Sequence, residues 1–483
     1  LWIRTKDSFL YIFELALWKR ALIFFPIGIL LFIGIRSSFG HRPANISDAM
    51  FSSSRIVNEV TKNSFYSIVY AIYRNQSYET EGVEKLYGNM PIDEALNRVA
   101  NRLGIVKSNL QSTVSPFSRK VNSNFQSRGK KNIVIFLQES LGYQFISEEL
   151  TPNLLKLKKD GLWFDSLYSN GTRSIRGIAG VAAGTLAVSG EGVVKRNKSQ
   201  TNFFTFATLL KPYGYHSLFL YGGEARFDNM KSWFIGNGFD EIIEEKDYIN
   251  PKFVATWGVS DEDLVDRANK RFEELHRRGQ LFSALMFSSS NHTPFEYPTG
   301  RIEPVDNKNI YSLKNAIKYA DYAIGKFFQD AKKLDYYKNT IFVVIADHNV
   351  RVYGDDIVPV DMFHIPALII GDGVTPQICS KLTSQPDVLA TLLDYIGKDL
   401  KYPILGNSIF SDDKKEINFM QFNENYALRV GDEVAVVVPE KLAKTFNYKD
   451  KRLITTENNH ELERDTLACI ITLDYLYNKQ LFK

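Results

Sequence analysis

Short, nearly continuous apolar runs recur through the middle of this chain. They fall at 132–140 (NIVIFLQES), 216–223 (HSLFLYGG), 281–290 (LFSALMFSSS), 339–348 (NTIFVVIADH) and 365–373 (IPALIIGDG). Runs without polar alternation belong to strands buried on both faces. Helical periodicity lies between them, in TPNLLKLKKDG at 151–161 and LKNAIKYADYAIGKFFQDAKKL at 313–334. Strands alternating with helices predict an α/β domain, a mostly parallel central sheet with helices on both faces. From about residue 415 the pattern changes to alternating strands, as in YALRVGDEVAVVVPE, and then to a helix near 461–479. This predicts a small α+β subdomain at the C-terminus.

One stretch is apolar all round. ALIFFPIGILLFIGIRSSF, 21–39, has an apolar core from Ala21 to Ile35, with Trp18, Lys19 and Arg20 before it and Arg36 after it. Snorkelling cations and an interfacial tryptophan extend such a run toward a membrane span, with a buried globular helix as the alternative at this length. Arg4, Lys6, Lys19 and Arg20 place its N-terminal side in the cytoplasm and everything after residue 40 outside. The chain opens on leucine, so 1–40 reads as the end of a longer membrane domain. Residues 41–130 alternate helical stretches with polar loops, ending in the Ser-, Asn- and basic-rich 111–131. The expected division is therefore 1–40 membrane segment, 41–130 helical linker, 131–412 catalytic domain and 413–483 C-terminal subdomain.

Charge narrows the partners only a little. The net charge is +4 and the basic residues are dispersed, which excludes the footprint of a nucleic-acid binder. Cys379 and Cys469 have neither metal-ligand nor disulfide-framework spacing and read as buried thiols.

In a sheet of this kind, ligands bind beyond the carboxyl ends of the strands. Polar residues stand at those ends: Glu139 after the first run, Glu224 after the second, Asn291 and His292 after the third, Asp347 and His348 after the fourth. Each alone fits a helix cap or a solvated loop; together they form an oxygen- and nitrogen-rich set suited to a divalent cation. Asp261 in WGVSDEDL, by contrast, reads as a first-turn acid behind the cap Ser260, and Tyr353, Asp355 and Asp356 read as a surface turn near the mouth of the site.

NIVIFLQES, TPNLLKLKKDGLWFDSLYSNGTRSIRG, YGGEARFDNM, NGFDEII, WGVSDEDL, SSSNHTPFEYP and VIADHN, in that order, resemble the lipoteichoic acid synthase (phosphoglycerol transferase) branch of the sulfatase and alkaline-phosphatase superfamily. The resemblance covers about 130–400. It implies a membrane-tethered domain that moves a phosphoglycerol-type group from a phospholipid donor to a glycan or glycolipid acceptor through a phospho-threonine. By motif it makes Glu139, Thr172, Asp347 and His348 the ligands of one divalent metal, Mn²⁺ first and Mg²⁺ or Zn²⁺ as alternatives. Thr172 is also the nucleophile, and His292 is a catalytic residue at the substrate. It further implies an inner-membrane location with the catalytic domain on the periplasmic or extracellular side, and a single metal, which leaves His364 outside the site.

The residues accord with that chemistry. A threonine hydroxyl needs a base or a metal to become a nucleophile. Glycines at 171 and 177 would admit a phosphodiester to the backbone, and Arg173 and Arg176 can pair with phosphate. Glu224, Arg226, Asp228 and Asn229 form the expected head-group loop. Gly222 and FDNM depart from the polymerising synthases and point to the Gram-negative-like members. The alternatives are a sulfatase-like or phosphodiesterase hydrolase, a phosphoethanolamine transferase, and an inactive lipid or glycan sensor.

Overall fold

The five apolar runs become neighbouring strands of one sheet. The computed structural model describes residues 13–36, 45–52, 55–62, 67–68, 72, 82–105, 115–127, 129–350 and 354–483. Asn132–Gln138 lies at the centre, parallel to Phe282–Phe287 on one side and to Thr340–Ala346 on the other. Beyond Phe282–Phe287 come His216–Tyr221 and Glu241–Ile243, both parallel. Every residue of Asn132–Gln138 and Thr340–Ala346 is buried, so both faces are covered. That burial is why these segments are apolar without alternation.

The other half of the sheet is mixed. His364–Gly371 runs antiparallel to Thr340–Ala346 and to Leu162–Tyr168, and Gln377–Cys379 closes that edge parallel to Leu162–Tyr168. The apolar runs do not announce Leu162–Tyr168, because Asp165 and Ser166 interrupt it where it is only half-buried. Parallel pairing of the central strands sends Glu139, the loop after Phe287, and Asp347 with His348 to one edge of the sheet. His364 arrives at the same edge from an antiparallel strand.

The C-terminal subdomain is a five-stranded antiparallel meander, from Ile417–Phe422 to Arg452–Thr455, followed by the helix His460–Asn478. That helix also receives Ile92–Leu103 from the N-terminal region. Arg98 Nη1 lies 2.8 Å from Asp465 Oδ1, and Arg464 Nε lies 2.6 Å from Glu94 Oε1. Both cysteines are buried thiols.

Leu17–Arg36 is a 20-residue helix with mean hydropathy 1.8 in its most apolar window and no buried residue. At about 1.5 Å per residue its length matches the roughly 30 Å hydrocarbon core of a bilayer. It begins four residues ahead of the apolar run, so Lys19 and Arg20 belong to its first turn. Among the described residues it is the one helix long and apolar enough to cross a membrane.

Candidate active site

The centre is built on three strand ends. The backbone turns sharply after Asn132–Gln138, where Ser140 has φ 46°. Glu139 is fixed there by its own backbone: its N–H donates to Ser288 Oγ (2.9 Å) and its carbonyl accepts from Asn291 Nδ2 (3.0 Å). Asp347 Oδ1 accepts from the N–H groups of Ser140 (2.8 Å) and His348 (2.6 Å). One ligand atom from each of Glu139, Asp347 and His348 lies within 4.8 Å of the others, and all three residues are buried.

The electrostatics of this cluster call for a cation. Burial and the adjacent Glu139 charge push the Asp347 carboxyl well above its ordinary range. Burial alone would raise Glu139 too, but the His292 and His348 rings together with hydrogen bonds from Ser140 and Asp347 outweigh it and hold that carboxyl below its usual value. Asp347 Oδ2 has no hydrogen-bond partner among the described residues. Two buried carboxylates facing each other repel, and a divalent ion relieves this more completely than a proton does. The ring of His348 faces the Asn349 carbonyl with Nδ1, leaving Nε2 toward the cluster, and burial keeps the imidazole below its ordinary pKa. A ring anchored at one nitrogen with the other turned to the cluster is the usual arrangement of a metal-binding histidine. The residues present therefore fit one divalent metal.

The hydroxyl on this cluster belongs to Ser174, not Thr172. Ser174 Oγ donates to Glu139 Oε2 at 3.1 Å and stands 3.3 Å from His348 Nε2. The reason is register. The helix Ser174–Ala183 is capped by the extended Arg173, so Ser174 is its first residue and presents its side chain at the positive end of the helix dipole. Thr172 lies before the cap and lines the neighbouring cavity. A sequence signal did exist: the serine opens a run of small and apolar residues, SIRGIAGVAA, that can form a helix against the sheet. The glycines also serve packing. A Cβ at Gly177 would stand 2.3 Å from the Asp347 carbonyl oxygen, and one at Gly171 would meet the Arg176 side chain at 2.4 Å. These positions admit neighbouring protein groups rather than a substrate.

His292 completes the near shell, with Nε2 3.8 Å from Glu139 Oε1. Its ring stacks on Trp257 at a centroid distance of 3.8 Å, and the Trp257 indole N–H donates to the Thr293 carbonyl at 2.7 Å. Sequence reasoning passed over Trp257, although it stands in the same WGVSDEDL stretch. There Ser260 caps its helix as expected, accepting from the Asp263 N–H at 3.2 Å.

The remaining expected residues divide. Thr172, Arg173, Arg176 and Asp228 line one cavity of about 600 Å³. Arg173 is exposed, while Arg176 Nη2 donates to the Gly190 carbonyl at 2.5 Å. Glu224 and Arg226 pair with each other at 2.9 Å and line a second cavity, of about 440 Å³. Asn229 is a buried structural residue, donating to the Lys195 carbonyl (2.8 Å) and accepting from Ser47 Oγ (3.3 Å). The four-residue head-group loop thus serves two cavities and a linker contact, not one subsite. His364 is sandwiched between Tyr143 and Tyr168, with centroids 4.0 and 4.9 Å away, and donates to the Asp165 carbonyl. Asp356 accepts from the Leu453 N–H, Asp355 is exposed, and Tyr353 lies outside the described residues.

Comparison with known proteins agrees with this architecture. The Sulfatase family profile matches residues 131–398. Phosphoglycerol transferase I of Escherichia coli (strain SMS-3-5 / SECEC) is 26% identical over 359 residues, 68% of this chain and 46% of that protein. The chain thus spans about half the length of the relatives it matches. A crystal structure of a protein in the alkaline phosphatase superfamily from Vibrio parahaemolyticus is 42% identical, with a TM-score of 0.79 over 83% of this chain and 100% of that one. The lipoteichoic acid synthase LtaP from Listeria monocytogenes, 19% identical, shares the fold with a TM-score of 0.61 over 72% of this chain and 92% of its own.

Proposed function

This chain belongs to the sulfatase family, within the alkaline phosphatase superfamily, and on that footing we propose that it is a membrane-anchored phosphoglycerol-type transferase. It takes the head group of a phospholipid donor and passes it to a glycan or glycolipid acceptor through a covalent phospho-serine. The observation that carries this reading is the Ser174 hydroxyl, held at a helix N-terminus by Glu139 and His348. That is the place for an activated nucleophile attacking an anionic phosphodiester.

In the first half-reaction Ser174 Oγ bonds to the donor phosphorus and the bond from phosphorus to the diacylglycerol oxygen breaks. Glu139 is already placed to take the Ser174 proton, and His292 is near enough to the cluster to give one to the departing oxygen. Arg173 stands exposed at the cavity beside Ser174, where a guanidinium can pair with phosphate oxygens. Glu139, Asp347 and His348 would hold one divalent cation, with Mn²⁺ ahead of Mg²⁺ or Zn²⁺ for this set of oxygens and one nitrogen. Bound there, the cation would stabilise the Ser174 alkoxide and polarise a phosphoryl oxygen.

Leu17–Arg36 would tether the enzyme to the bilayer that supplies its donor, with the catalytic domain on the periplasmic or extracellular face. A sulfatase reaction is disfavoured because the formylglycine motif needs proline two residues after its nucleophile, where this chain has Arg176. Mass spectrometry of the Ser174 peptide after incubation with phosphatidylglycerol tests the reading. A glycerophosphoryl adduct on Ser174 is expected; an unmodified serine during full turnover overturns it.

A further inference from the structure

The cavity beside Ser174 has a wall that the catalytic domain does not make. One side carries Thr172, Arg173 and Arg176. Another part of the lining comes from two distant stretches of the chain: Tyr87 from the N-terminal region, and Gln421, Asn423 and Glu424 from the first hairpin of the C-terminal sheet. This hairpin tip is pinned in place. The Gln421 N–H donates to the Asn170 carbonyl at 2.9 Å, and Gln421 also pairs with Gly171, both just ahead of the nucleophile. Tyr87 OH donates to the Glu424 carbonyl at 2.9 Å, while its ring meets Tyr426 edge-on at 5.4 Å. Asn423 takes the left-handed conformation, φ 52°, that turns the chain there.

The two walls differ chemically. Arginines stand on the nucleophile side, where the donor phosphate must lie. The hairpin side offers two amides, one carboxylate and a tyrosine ring, and Lys195, the remaining cation of the lining, is paired with Glu191 (3.6 Å) and Asp228 (3.5 Å). Such a wall disfavours a second phosphate, and it is too polar for acyl chains. It suits hydroxyl groups, which both donate to carboxylate and amide oxygens and accept from amide N–H groups, while an aromatic ring can lie against the C–H face of a sugar. About 600 Å³ is also the size of a small-molecule site.

We infer that Tyr87, Gln421, Asn423 and Glu424 form the acceptor subsite, and that it binds a neutral glycan. This rests on the phospho-serine reading and deepens it. In the second half-reaction a glycan hydroxyl oxygen bonds to phosphorus and gives its proton to His292, the bond from phosphorus to Ser174 Oγ breaks, and Glu139 returns to Ser174 the proton it took in the first. Water at the same place yields free glycerophosphate instead. The subsite therefore sets the ratio of transfer to hydrolysis.

The experiment uses the full chain in detergent micelles with phosphatidylglycerol as donor. Cellotetraose is the free-glycan probe, a monoglucosyl diacylglycerol its lipid-borne counterpart, and methanol a small acceptor with one hydroxyl and no sugar ring. Asn423→Gly keeps the left-handed turn and Glu424→Gln keeps the side-chain shape, so both variants preserve the hairpin. Each is expected to lower the transfer-to-hydrolysis ratio for at least one glycan by about tenfold, the effect of roughly one lost hydrogen bond to a bound hydroxyl, with a raised acceptor KM and an unchanged ratio for methanol. The acceptor that shows the fall identifies its source as free or lipid-borne. An unchanged glycan ratio, a parallel fall with methanol, or a wild-type enzyme that forms the Ser174 adduct yet transfers to neither glycan overturns the subsite alone. Absence of the Ser174 adduct overturns the reaction reading and the subsite with it.

Discussion

Gly177 lies directly against Asp347: a Cβ there would stand 2.3 Å from the Asp347 carbonyl oxygen and 2.7 Å from its Cα. The first turn of the helix Ser174–Ala183 is thus seated on the backbone of a residue of the Glu139, Asp347 and His348 cluster. Gly177→Ala must push the two apart, and overpacking of this kind costs about 1–3 kcal/mol. A lowered melting temperature is expected together with a loss of turnover larger than that stability cost explains, because Ser174 and Asp347 move relative to each other. Wild-type activity in a folded Gly177→Ala protein would show that their spacing is not critical.

Ser174→Ala and Thr172→Ala separate the two hydroxyls. Loss of a covalent nucleophile lowers kcat by several orders of magnitude, and this is expected at Ser174, with disappearance of the adduct. Thr172→Ala should keep the adduct. The reverse outcome, an adduct that survives Ser174→Ala and vanishes with Thr172→Ala, returns the chemistry to Thr172.

Metal dependence follows from the orphaned Asp347 Oδ2 and the repulsion between Asp347 and Glu139. Chelation should abolish turnover. Added Mn²⁺ should raise thermal stability, by about 2.7 kcal/mol at a hundredfold excess over Kd. Asp347→Asn keeps the oxygen that accepts from Ser140 and His348. It should therefore abolish the Mn²⁺ effect while leaving the metal-free protein as stable as before, a comparison that calorimetry makes directly.

Away from the site, Glu241 accepts from Arg271 Nη2 at 2.8 Å and pairs with His216 Nε2 at 3.0 Å. Burial would raise its pKa, but these partners prevail and hold it at about 2, against an unfolded value near 4.5. A depressed carboxyl stabilises the fold above its unfolded pKa, and that contribution disappears as pH falls through the folded one. Glu241→Gln should cost roughly 1–2 kcal/mol at pH 7. Urea titrations across pH should show the gap to wild type narrowing below about pH 4.5 and closing toward pH 2.

The helix Leu17–Arg36 buries nothing against the rest of the protein. Removal of residues 1–40 should therefore yield a soluble, folded enzyme that still turns over a short-chain donor. Aggregation of this shortened protein would mean that the helix is needed for folding.

The central strands were legible because burial on both faces leaves little but apolar residues in them, and the strand ends then pointed to Glu139, Asp347 and His348. Leu162–Tyr168 was not, since a strand near the sheet edge can afford Asp165 and Ser166. The hydroxyl that meets Glu139 stands two residues beyond the threonine, because glycine flanks and arginines are visible in a sequence, whereas the first residue of a helix is set by where that helix packs. The place of Trp257 depends on a stacking partner 35 positions away, and that of Gln421 on Gly171, 250 positions away. Neither separation leaves a periodic trace in the chain.

The pairing of Ile92–Leu103 with His460–Asn478 bears on how the protein is made. Arg98 and Arg102 meet Asp465, and Glu94 meets Arg464, across 363 to 370 positions of sequence. Chains emerge from the ribosome at about 5–20 residues per second and early portions fold first. Here Ile92–Leu103 has no finished surface to join until the helix His460–Asn478 has been synthesised. Until then the nascent chain exposes the apolar side of Ile92–Leu103. Final closure, which also brings Tyr87 to the hairpin tip, waits for the helix His460–Asn478, so a product truncated anywhere before residue 460 would lack the partner that seats Ile92–Leu103.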